Sequence, residues 1–116
     1  MMKKVTVERE FRRQAGPRSM YGCVTITACF AADFWVKSVA EWPPDFDKAR
    51  YEKAIYCGIT EALNEFYCDN PIGNFWISAV KFSEDIDANV PIAYREAAKQ
   101  AVFDIVKDWP QPSRPS

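Results

Sequence analysis

The sequence contains no histidine. That absence removes the commonest general acid–base side chain, and with it every Ser–His and Cys–His nucleophile pair. The four cysteines, Cys23, Cys29, Cys57 and Cys68, show no C-x-x-C spacing. A zinc site would have to gather thiolates from a strand, a helix and a loop, so no metal is expected. No glycine-rich loop has the spacing of a phosphate-cradling P-loop, which argues against a nucleotide site, and no cofactor is expected. No apolar run approaches the length of a membrane span, and nothing before Val5 has the form of a signal peptide, so no membrane association is expected. The expected setting is the cytoplasm, with reduced thiols.

The 116 residues, 48% hydrophobic and 15% aromatic, suit one domain with its own core. Net charge is only −1, yet it is unevenly placed. Residues 1–20 hold six basic side chains (Lys3, Lys4, Arg9, Arg12, Arg13, Arg18) against Glu8 and Glu10, leaving the remainder acidic. The basic segment has strand-like spacing at Val5, Val7 and Phe11, then a loop carrying Gly16, Pro17, Arg18 and Ser19. A second period-two run follows: Val24, Ile26, Ala28 and Phe30. Gly and Pro punctuate a turn, so the pair reads as a hairpin with a small cationic tip. Such charges suit contact with an anionic surface, and equally serve an edge strand that must not pair with a neighbour.

Along the chain the patterns predict strands over about 4–14, 20–31 and 34–41, then a break at Trp42-Pro43-Pro44, where two prolines cannot continue a ladder. Asp45 or Asp47 is placed to cap a helix over 47–67, whose buried stripe is Tyr51, Ile55, Ile59, Ala62, Leu63 and Phe66. The stretch 69–74 is dense in turn residues; a fourth strand is predicted over 74–83 and a polar loop over 84–90. Pro91 opens a last helix reaching about Asp108, with Tyr94, Ala97, Ala98, Ala101, Val102 and Ile105 inward. Residues 1–108 are thus the predicted domain, and 109–116 a disordered tail by composition. The order β-β-β-α-β-α predicts an α+β fold, a single four-stranded sheet with both helices on one face.

Arg13 to Val24 reads R-Q-A-G-P-R-S-M-Y-G-C-V. With two later segments in the same order it resembles domain IV of bacterial elongation factor G, whose pattern here is close to R-Q-S-G-G-R-G-Q-Y-G-H-V. Gly58 to Leu63 matches G-I-x-E-A-L, and Asp85-Ile86-Asp87 resembles D-V-D; Ala93-Tyr94, Ala97-Ala98 and Ala101 fall in step with the family's last helix. The resemblance runs from about residue 7 to residue 105. It implies the fold of the second domain of ribosomal protein S5, including a left-handed crossover between strands three and four. It also implies contact with the ribosome or structured RNA through two tip loops. Carried over residue by residue, Gly16 and Arg18 belong to the first loop and Glu84 to the second; Arg12 and Arg13, from the basic hairpin itself, are read as further phosphate contacts. Glu84 replaces a histidine beside RNA with a carboxylate that phosphate repels, and Pro17, Ser19 and Met20 replace Gly, Gly and Gln. The family's GTPase has no counterpart in this sequence.

Two functions stay open. One is a non-catalytic RNA- or ribosome-binding domain using Arg12, Arg13, Gly16, Arg18 and Glu84 at its tip. The other is a protein-interaction module, homodimeric or with another partner, working through an apolar sheet face. Trp35 and Val39 are predicted on that uncovered face, and the fourth strand is apolar on both sides, with Phe75, Ile77 and Ala79 against Trp76, Val80 and Phe82. Catalysis has only fold analogy behind it. The compact carboxylates Glu84, Asp85 and Asp87 read as a solvated loop with local caps.

Overall fold

The computed structural model describes residues 3–67 and 71–110. Its elements are β1 (Val5–Ala15), β2 (Arg18–Cys29), β3 (Phe34–Ser38), α1 (Lys48–Phe66), β4 (Gly73–Lys81), a single 3-10 turn (Ile86–Ala88) and α2 (Pro91–Val106). The α+β architecture is as the sequence predicts: one mixed four-stranded sheet in the order β1-β2-β4-β3, with two helices. β1 and β4 flank β2 antiparallel, while β3 joins β4 in parallel through the α1 crossover.

The core is one layer between sheet and helices. Val24, Ile26 and Ala28 of β2 and Phe75 and Ile77 of β4 are buried against Ile55, Ile59, Ala62 and Leu63 of α1. From α2 come Tyr94, Ala97, Ala98, Ala101, Val102, Ile105 and Val106, every one buried. The alanines let α2 lie close to its neighbours. Two glycines do the same at single points. A Cβ on Gly22 would lie 2.5 Å from the Ala93 backbone, and one on Gly58 would collide with the Arg95 carbonyl. Both belong to the family-like motifs, and the fold accounts for both through helix packing. Asp47 is the cap of α1, its Oδ1 accepting from the Arg50 N–H at 3.3 Å.

Several boundaries differ from expectation, each for a local reason. The loop between β1 and β2 is only Gly16-Pro17; Arg18 and Ser19 already pair with Ala15 and Gln14. Gly16 has φ +61 and proline fixes a negative φ, the sequence in which a two-residue II′ turn wants them. β3 stops at Ser38 rather than residue 41; the Val39 N–H still donates to the Ile77 carbonyl at 3.0 Å, and beyond it Trp42 joins an aromatic cluster with Phe46, Tyr51, Phe82 and Tyr94. α2 ends at Val106, and Trp109, assigned by composition to a disordered tail, is buried. Its ring meets Phe30 and Phe75 at centroid distances of 5.4 and 5.7 Å, and the Tyr67 hydroxyl donates to the Pro110 carbonyl. The ordered domain therefore continues to Pro110, and the rest of the expected tail, like Cys68, lies outside the described residues. Among the described cysteines Cys23 is buried, and Cys29 and Cys57 are half-buried.

The largest difference is in β4. The register with β2 slips between Thr25 and Ile26, so that Thr25 faces Ala79 while Ile26 faces Ile77, and Ser78 is the extra residue of a bulge. A one-residue insertion reverses the facing of all that follows. Phe75 and Ile77 point to the helices before the bulge, and Val80 and Phe82 pack on the same core after it. The predicted choice between two apolar sides of this strand does not arise.

Candidate nucleic-acid interface

Beyond Gly22 the sheet narrows. The last β4 partner on β2 is Cys23, opposite Lys81, whereas β1 and β2 stay paired to Ala15 and Arg18. About five residues of each strand run past the last β4 pair; Gly22 still packs under α2 and Tyr21 bridges Asn89, so about three residues of each strand, roughly 10 Å at strand rise, project as a two-stranded ribbon. The described residues measure 49 × 29 × 19 Å overall, an elongated body. Strand alternation divides the ribbon's cations: Arg12 and Tyr21 share the face away from the helices, and Arg13 and Met20 the other. Arg12 is held on the ribbon, its Nε 3.2 Å from Glu10 and its guanidinium 5.4 Å from the Tyr21 ring. Arg13 and Arg18 are exposed and make no ion pair among the described residues.

The second predicted tip segment comes down beside the first. Tyr21 forms an isolated parallel bridge with Asn89. One cleft of about 430 Å³ runs between Pro17, Arg18, Ser19 and Met20 on the hairpin and Asp85, Asp87, Ala88 and Val90 on the loop. A second, of about 290 Å³, is lined by Arg12, Arg13, Gln14 and Tyr21 with Ser83 and Asp85. The fold thus joins the two segments into one tip, with cations on the hairpin wall and carboxylates on the loop wall. Arg12, Arg13, Arg18 and Gly16 all lie on the hairpin; Glu84 is exposed on the loop and lines neither cleft.

What holds the second loop is Asn89, a residue that no sequence pattern singled out. It is 5% exposed, the buried polar residue of this region. Its Oδ1 accepts from the Ser83 N–H at 2.7 Å and its Nδ2 donates to the Ser83 carbonyl at 3.1 Å. Its own carbonyl accepts from the Tyr51 hydroxyl at 2.6 Å. Tyr94 adds a hydroxyl bond to the Lys81 carbonyl at 2.8 Å. The local caps expected from Asp87 do not form among the described residues. Asp85 accepts no capping bond either, and its N–H instead meets the Ser83 hydroxyl at 3.2 Å. The available signal was an Asn just before the Val90-Pro91 helix start, in a loop otherwise dominated by its Asp residues. Burial raises the pKa of the Tyr21 hydroxyl to about 12, reinforced by Cys23 and Glu10. Burial likewise raises Cys23, with Glu8 adding to it. Neither group is a nucleophile or base near neutral pH.

The face of the sheet away from the helices carries the other predicted residues. Trp35 and Trp76 are half-buried and meet edge to face, centroids 4.9 Å apart. Val39 is 65% exposed, just past the end of β3. Around them the face is polar: Thr6, Thr25, Thr27, Ser78 and Asn74, with Lys81 paired to Glu8 at 3.2 Å.

No family model and no curated protein matches the chain. Among solved structures, it is similar to a crystal structure of a Thermus thermophilus protein, ttk003000868, with a TM-score of 0.69 and 18% identity. The match covers 88% of this chain and 15% of that one, so the chain spans about a seventh of the length of the protein it resembles. The likeness is one of fold. Among the described residues no helix is long and apolar enough to cross a membrane.

Proposed function

We propose that this chain is a non-catalytic domain of the elongation factor G domain IV type, binding the ribosome or structured RNA through the β1–β2 tip. The observation that carries this reading is the overhanging ribbon, with Arg13 and Arg18 exposed and without a carboxylate partner among the described residues. A cation without an internal partner is the form in which arginine meets phosphate, and the narrow ribbon can enter a groove that the body of the domain cannot. The neighbouring Asp85 and Asp87 oppose phosphate on one side of the tip, so contact falls to the hairpin. Such contacts position a protein on RNA without reading its sequence. The alternative, a protein interface on the open sheet face, loses support from the Ser78 bulge, which takes Val80 and Phe82 into the core and leaves Trp35, Trp76 and Val39 as the apolar content.

The test is binding to a fluorescently labelled RNA hairpin across a salt series. The expected log–log salt slope is negative, and Arg13→Glu/Arg18→Glu should flatten it by about one to two, on the order of one for each phosphate no longer engaged. A slope indifferent to both arginines would remove the tip from the interface.

A further inference from the structure

Three cation–aromatic contacts lie on the sheet face away from the helices, and they run its length. Arg12 sits over Tyr21 at the tip end. At the far end the Lys4 ammonium lies 4.5 Å from the Trp76 ring centroid and the Lys37 ammonium 4.5 Å from that of Trp35. Register places these residues in two neighbouring rows across the strands. Thr6, Thr27, Trp76 and Lys37 form one; Cys29, Asn74 and Trp35 form the next, with Lys4 entering from the start of β1. A ladder of hydroxyls crosses the first row, Thr6 to Thr27 at 2.9 Å and Thr27 to Ser78 at 2.6 Å. The face carries Lys4, Arg12, Lys37 and Lys81 against Glu8 and Glu10, which Lys81 and Arg12 engage, and Asp33 at its edge, whose Oδ1 accepts from the Asn74 amide at 3.4 Å. Lys4 and Lys37 have no carboxylate partner among the described residues.

We propose that Trp35, Trp76, Lys4 and Lys37 form a stacking platform for single-stranded RNA, separate from the tip. The inference rests on the reading of this chain as an RNA-binding domain but not on its hairpin. Each ammonium occupies a ring face where a base would stack. A nucleotide displaces it, and the freed ammonium then meets the phosphate of the same strand. The exchange favours RNA because stacking a base on the open face of a half-buried indole is stronger than capping the ring with a hydrated ammonium. Duplex RNA offers no free base face, so single strands are selected. A protein partner fits less well: its apolar surface would press the two unpaired ammonium groups out of water with nothing to neutralise them.

Tryptophan fluorescence reads the platform directly. Of the four tryptophans, Trp42 and Trp109 pack against the helix-side core, so quenching by a stacked base reports Trp35 and Trp76. Titration with a short single-stranded oligoadenylate at low salt should give saturable quenching. Trp76→Ala should weaken binding about tenfold, the order seen when one stacking ring is removed. Lys4→Glu/Lys37→Glu, at two exposed positions that leave the core untouched, should abolish the quenching while the circular-dichroism spectrum is unchanged. Arg13→Glu/Arg18→Glu should leave the quenching in place. The proposal is overturned by absence of quenching at low salt, by quenching that survives the lysine reversals, by its loss in the arginine variant, or by equal affinity for duplex RNA. Failure of the tip reading looks different: the RNA-hairpin salt slope ignores the arginines while oligoadenylate still quenches.

Discussion

The two faces of the sheet are built to opposite rules from alternate residues of the same strands. On the covered face the side chains are interchangeable in kind: Val24, Ile26, Phe75 and Ile77 supply apolar volume, and α1 and α2 close over them. On the open face few side chains could be exchanged without loss, because Trp35 and Trp76 come with particular ammonium groups and the threonines with particular hydroxyl partners. The contrast is sharpest at neighbours 75 and 76, a residue apart and on opposite sides. The covered face is there to hold the fold, and the open face and tip carry what a fold alone does not require.

That contrast can be broken most severely at the core. Phe75→Ala removes a fully buried ring and should cost about 3–5 kcal/mol in a denaturant melt. Trp76→Ala, one position on, removes a half-buried ring with its aromatic partner and capping cation and should cost about half as much. Similar losses at the two sites would mean that the open face is structural after all. Next in size is Asn89→Ala, expected to cost about 2–3 kcal/mol because the Ser83 N–H and carbonyl are left without their partner. Its distinctive sign is local, faster amide hydrogen exchange over 83–90 than in the strands. Alkaline pH should weaken the fold as well, through its buried hydroxyls. Tyr21, Tyr51, Tyr67 and Tyr94 all have hydroxyl pKa values raised by burial, Tyr21 to about 12. A raised folded-state value means that stability is fully present below the unfolded value near 10 and is lost as pH climbs from there through the folded value. A stability curve flat from pH 9 to 12 would contradict that burial.

Much of the covered face was legible in the sequence. Ile55, Ile59, Ala62 and Leu63 recur at helical spacing, as do Tyr94, Ala97, Ala98 and Ala101, and alternation in β2 separated Val24, Ile26 and Ala28 from Thr25 and Thr27. Alternation failed in β4, because a period-two pattern has no symbol for an inserted residue. The phase change from Phe75 and Ile77 to Val80 and Phe82, with Ser78 between, is the trace the bulge leaves. Trp109 was misplaced because proline-rich composition outweighed one aromatic side chain that finds a slot against Phe30 and Phe75. At the tip, the charges of both loops could be read locally. Their meeting across one cleft could not, since the bridge between Tyr21 and Asn89 spans most of the chain. The motif glycines divide in a way only packing reveals: Gly22 and Gly58 make room for α2, while Gly16 shapes the turn and a Cβ there would meet open space.

Binding through the tip predicts co-sedimentation with bacterial ribosomes, measured at low and moderate salt with wild type beside Arg13→Glu/Arg18→Glu. Wild-type protein should pellet at low salt and be released as salt rises, and the doubly reversed variant should stay in the supernatant. Wild-type protein that never pellets, or a variant that pellets equally well, would contradict it.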